Sequence, residues 1–173
     1  MRLPRGRWLW LCALGTLVFG ALQLDALQTM SDRGAGVLEF EFAATSSHAE
    51  EIVSGWGEEG QQAAREHLAL DYAYLVFYGL LLAGACAAVA DRARRAGRDG
   101  LAAAGGAFAL AALAGAGADA LENAALLAVA GGHTEQPWPG LAAGFAAIKF
   151  ALTAAAAVYI VAGFVATRGA RGR

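Results

Sequence analysis

Four long apolar stretches divide the chain, at residues 8–27, 70–90, 101–130 and 141–166. A membrane-spanning helix needs about 20 mostly apolar residues at about 1.5 Å of rise each. Each stretch therefore predicts one span. The last two exceed what a bilayer requires, so they must tilt or project beyond the hydrocarbon. Residues 31–67, between the first and second spans, form the only sizeable polar stretch. Within it, Leu38, Phe40 and Phe42 alternate with Glu39 and Glu41, a period of two that predicts a short strand or extended segment. Ser47-His48-Ala49-Glu50 has the spacing of a capping box and predicts a helix through Ile52 and Val53 to about Ser54. Gly55 and Gly57 flank Trp56 and predict a break. A second helix, from about Glu58, runs into span two through Gln61, Arg65 and His67. The predicted fold is all-α: a four-helix transmembrane bundle with a short extracytoplasmic helical cap between helices 1 and 2. The 173 residues form a single integral membrane domain.

Composition sharpens this picture. Hydrophobic residues make up 58% of the chain and charged residues 16%, against about 45–50% and about 25% in soluble domains. Disorder, collagen and coiled coil are excluded, and two cysteines cannot build a disulfide scaffold. The arginines are unevenly placed. Arg2, Arg5 and Arg7 precede span one; Arg92, Arg94, Arg95 and Arg98 lie between spans two and three; Arg168, Arg171 and Arg173 follow span four. The other two linkers hold only Arg33 and Arg65. The positive-inside bias places both termini in the cytoplasm and faces the 31–67 segment outward. The first span has the basic start of a signal peptide. Its apolar run is too long for one, no small-x-small site follows, and Leu9-Trp10-Leu11 before Cys12 is not a lipobox, so it is expected to stay as a span. Trp8, Trp10 and Trp138 fall where an interfacial aromatic belt would lie. Arginine in place of lysine, with abundant alanine, points to a high-GC bacterium and so to a bacterial inner membrane.

Charges inside a span are costly unless paired or wetted, which marks them as candidate site residues. There are five: Asp25, Asp71, Asp119, Glu122 and Lys149. With alternating span directions, all five fall in the outer third of the bundle. They also lie on polar stripes at helical spacing. His67, Asp71, Tyr74 and Tyr78 share one stripe; Asp119, Glu122 and Asn123 share another; Lys149 and Thr153 are one turn apart; so are Asp25 and Gln28 with Thr29. Lys149 is expected to pair with Asp119 or Glu122. The surplus acids must then be solvated, protonated or bound to a cation. The candidate site comprises Asp71, Tyr78, Asp119, Glu122, Asn123 and Lys149, with Asp25 and His67 next. Four functions fit such a cluster: a polar clasp fixing helix order, a proton- or cation-coupled path, an intramembrane enzyme using a carboxylate on a lipid or isoprenoid-like substrate, and binding of a partner or ligand by the cap. Eight acids in the 31–67 segment (Asp32, Glu39, Glu41, Glu50, Glu51, Glu58, Glu59, Glu66) predict a negative outer face, which either solubilises the cap or attracts cations. The partners expected are the lipid bilayer and a lipid-like or cationic small ligand.

Other chemistries find no support in the sequence. His48, His67 and His133 lack zinc-motif spacing, so no metal is assigned. Gly105-Gly106 follows no strand and precedes no Lys-Ser/Thr, so it is no phosphate loop and no cofactor is assigned. No basic aromatic stripe suggests nucleic acid. Gly105, Gly106, Gly115, Gly117 and Gly144 predict close helix packing. Cys12 and Cys86 are expected to be reduced and buried.

Residues 56–78, with Asp71 opening span two and Tyr78 below it, together with Asp119-Ala-Leu-Glu122-Asn123 in span three, carry a resemblance. The chain resembles a family of small uncharacterised four-span bacterial membrane proteins with an Asp-to-Tyr pattern in helix two and Asp-x-x-Glu-Asn in helix three. The resemblance covers most of the chain and implies a multi-pass fold without implying an activity. In span count and buried acids alone, the chain is also similar to four-helix sterol-isomerase-like proteins, by analogy.

Overall fold

The computed structural model describes residues 5–168. Arg2, Arg171 and Arg173, part of the arginine bias that sets the expected orientation, lie outside them, as does the side chain of Arg5. Six helices account for most of the described chain, and among the described residues there is no strand: α1 (Arg5–Leu22), α2 (Leu24–Asp32), α3 (Val37–Glu41), α4 (Ser46–Arg95), α5 (Asp99–Ala130) and α6 (Trp138–Ala166). Four stretches are long and apolar enough to cross a membrane: Gly6–Asp32, which joins α1 and α2, and the helices α4, α5 and α6. Large apolar side chains are exposed all along them, among them Leu14 and Leu17 on α1, Leu110 on α5, and Val158 and Val161 on α6. An aqueous surface does not tolerate so much contiguous apolar area, whereas acyl chains do.

Two sequence expectations need correction. The alternation at 38–42 is a turn of helix, not a strand: the Glu39 carboxylate accepts the Gly36 N–H at 3.0 Å and starts α3. Leu38 and Phe42 then face outward, while Phe40 and Glu41 are buried. Helix α4 also begins earlier than the capping box suggested. Thr45 is its N-cap, and its hydroxyl accepts the His48 N–H at 3.4 Å.

The break at Trp56 is real. Gly57 has φ +61° and ψ −168° inside α4, a backbone state open only to glycine at little cost. The Gln61 side chain donates to the Val53 carbonyl across the kink at 2.9 Å. The kink seats Trp56, 1% exposed, with its Nε1–H on the Ala35 carbonyl and its ring against the edge of Phe40. Around this pair, Met30, Ile52, Val53, Leu68, Leu126 and Val129 form the larger apolar core. Arg65 donates to the Ala130 carbonyl at 2.8 Å, where α5 ends, and Arg33 pairs with Glu59. The 24–64 segment is thus bolted onto one end of the bundle. At the other end, α4 stops where Gly97 takes φ +66° and Arg98 N–H returns to the Ala93 carbonyl.

The helices α4, α5 and α6 pack on one another, while α1 packs on α4 and α2 and, among the described residues, on no other helix. Small residues set these distances. A Cβ on Gly105 would stand 2.3 Å from that of Ala90, and one on Gly115 would meet Thr153 at 3.0 Å. Gly79 against Ala116 and Gly163 against Val89 serve the same purpose. Gly106, Gly117 and Gly144 face open space instead. Cys12 and Cys86 are buried free thiols.

Candidate functional site

Lys149, the only lysine in the chain, is the centre of the polar cluster. Helix α6 carries it, 8% exposed, into the space between α3 and α5. Its Nζ lies 2.8 Å from Glu122 Oε2, 3.2 Å from Asp119 Oδ1 and 3.2 Å from Glu41 Oε1. The expectation of a pair with Asp119 or Glu122 resolves as both, with Glu41 as a third partner. Asp119 Oδ2 accepts the Tyr78 hydroxyl at 2.7 Å. Asp71 Oδ2 accepts the Asn123 amide at 2.7 Å. The i, i+3, i+4 spacing of Asp119, Glu122 and Asn123 puts all three on the buried face of α5.

These groups border a cavity of about 570 Å³. Its lining comes from α1 (Thr16, Gly20), Gln23, α2 (Leu27), α3 (Val37, Glu41), α4 (His67 to Leu82), Asp119 of α5, and Lys149, Phe150 and Thr153 of α6. Among the described residues α1 and α6 do not pack on each other, and the cavity, lined by both, occupies the space between them. Along α4 it extends from His67 to Leu82, about 22 Å at about 1.5 Å per residue. Along α4 its polar groups run from His67 to Tyr78, and α2 and α3 add Leu27, Val37 and Glu41 to the wall. Leu81 and Leu82 line the far end.

The cluster divides into two layers. Glu122, 0% exposed, and Asn123 stand behind the cavity wall. Glu122 balances Lys149 and Asn123 holds Asp71. Glu41, Asp71 and Asp119 face the cavity with His67, Tyr74 and Tyr78. Burial pushes the Glu41 carboxyl above its ordinary range, against the opposing pull of Lys149. Four carboxylates share one ammonium. A low-dielectric interior does not hold three uncompensated charges, so it takes up protons or a cation. Among the described residues no three His, Cys, Asp or Glu side chains are grouped to hold a metal ion.

Of the eight side chains singled out from the sequence, seven meet here: His67, Asp71, Tyr78, Asp119, Glu122, Asn123 and Lys149. Asp25 does not. It is exposed in the first turn of α2. Gln23, two residues earlier and on the opposite side of the helical path, is buried and lines the cavity in its place. The signal for Gln23 was its spacing from Thr16, Gly20 and Leu27, in steps of four, three and four. Glu41 was counted among the solvent-facing acids of the 31–67 segment; it is buried because α3 is helical and docks against α6.

The chain was compared with family models, with curated proteins and with solved structures, and nothing matched in any of the three.

Proposed function

We propose that this protein is a multi-pass membrane protein, of the bacterial inner membrane with both termini cytoplasmic, that takes a cation-headed amphiphile from the bilayer into the cleft between α1 and α6. One observation carries the reading: the cavity presents the carboxylates of Glu41, Asp71 and Asp119 to its His67-to-Tyr78 part, with the balancing Lys149 already engaged, and gives way to Leu81 and Leu82 beyond. A volume of about 570 Å³ lies within the roughly 300–1,000 Å³ of small-ligand sites. An alkyl chain suits the Leu81–Leu82 end, and a positive head at Asp71 and Glu41 supplies the missing charge. In this reading the cleft between α1 and α6 is the lipid-side entrance, which a purely structural clasp does not need. The kinked segment of residues 24–64 serves as an extracytoplasmic cap over the polar end.

The test uses the protein in nanodiscs and three sixteen-carbon probes: hexadecylamine, hexadecanol and palmitate. Native mass spectrometry reads occupancy. The amine is expected to bind best, with palmitate weakest, and Asp71→Asn is expected to weaken the amine by about ten-fold or more, the scale of one hydrogen bond to a charged group. Lowering the pH protonates Glu41 and removes one attracting charge. Because its pKa is raised, amine binding should begin to weaken above the ordinary glutamate range. Equal binding of palmitate and amine would refute the reading.

A further inference from the structure

Two buried polar atoms on the cavity wall have no partner: Glu41 Oε2 and His67 Nδ1. Glu41 is 9% exposed and His67 7%. Leaving such atoms unpaired is unfavourable, and folded proteins rarely do so without a reason. Elsewhere on the wall the acidic groups are engaged. Asp119 accepts from Tyr78 and pairs with Lys149, Asp71 accepts from Asn123, and the other Glu41 oxygen holds Lys149. The open positions therefore belong to a ligand that brings its own N–H or O–H donors.

This distinguishes among cations. A quaternary ammonium has no N–H and is held by aromatic faces. No aromatic cage is assembled around Glu41 Oε2 and His67 Nδ1 among the described residues: Lys149 Nζ sits over Phe150 at 4.9 Å, and Tyr74 and Tyr78 pack tilted against each other at 5.3 Å. A primary ammonium offers three N–H groups to acceptors. We propose that Glu41 and His67 form a headgroup subsite that selects a primary ammonium amphiphile over a quaternary one. His67 then carries its proton on Nε2 and accepts through Nδ1. The proposal rests on the cation-binding reading above and narrows it to one ligand class.

The experiment compares hexadecylamine with hexadecyltrimethylammonium, and with hexadecanol as the uncharged control, on the wild-type protein in nanodiscs. It needs no variant that might fail to fold. The primary amine is expected to bind about ten-fold or more tightly than the trimethyl form, the value of one added hydrogen bond to a charged group. His67→Leu is expected to narrow that ratio to a few-fold, and His67→Gln, which keeps an acceptor, to recover part of it. If both cations bind equally and both outbind hexadecanol, the cavity takes cations but the subsite does not exist. If neither cation outbinds hexadecanol, the subsite and the underlying reading both fall.

Discussion

Lys149 is where removal of one side chain has the largest consequence. Its ammonium serves carboxylates from α3 and α5, all within 3.2 Å. Breaking a buried pair by removing one partner costs about 3–5 kcal/mol, because the other charge is stranded. Lys149→Met strands three acids; Glu122→Gln leaves the lysine with Glu41 and Asp119. Thermal unfolding of purified protein is therefore expected to show a larger loss for Lys149→Met than for Glu122→Gln. The double variant should recover part of the Lys149→Met loss. Additive losses would show that the two side chains are not coupled. At this scale the sequence was informative wherever a charge lay in an unbroken apolar run. Asp71, Asp119, Glu122 and Lys149 stood out because burial there is costly. Glu41 did not, because an acid in a polar segment normally meets water. Asp25 misled for the converse reason: an acid near a span end lies close to water and need not turn inward.

At the scale of elements, packing rests on where glycine is needed. Gly105→Ala would place a Cβ 2.3 Å from Ala90 Cβ and 2.9 Å from the Tyr159 hydroxyl, which donates to the Leu101 carbonyl. Helices α4 and α5 must then separate. Gly106→Ala meets nothing within 4 Å and gains up to about 1 kcal/mol of helix propensity. The melting temperature is expected to drop for the first and to hold or rise for the second; equal effects would place the α4–α5 contact elsewhere. Adjacent glycines in one apolar run look alike in sequence, so their division into contact and open positions was not readable. The Gly57 kink was readable, since two glycines interrupting a capped helix have few other uses. Helix α3 was not, because five residues satisfy a period of two about as well as a period of 3.6.

At the scale of the molecule, four stretches able to span a membrane follow from hydrophobic length, and the meeting of their polar stripes follows from the cost of burying charge. The cleft follows from neither. It exists because α1, among the described residues, packs only on α4 and α2, with Gly15 lodged against Phe77 and Phe19 stacked on the same ring at 5.5 Å. Which neighbour an apolar helix chooses depends on side-chain shape in three dimensions, and hydrophobic periodicity carries little of that. The proposed function depends on this choice, because a closed bundle would hold the same acids as a sealed clasp. The decisive measurement is an experimental density map of the protein in nanodiscs with hexadecylamine added. The account predicts elongated density between α1 and α6, with its head at Glu41, His67 and Asp71 and its tail towards Leu81 and Leu82. A map with α1 packed directly on α6, or with Glu122 and Lys149 apart and facing acyl chains, would contradict it.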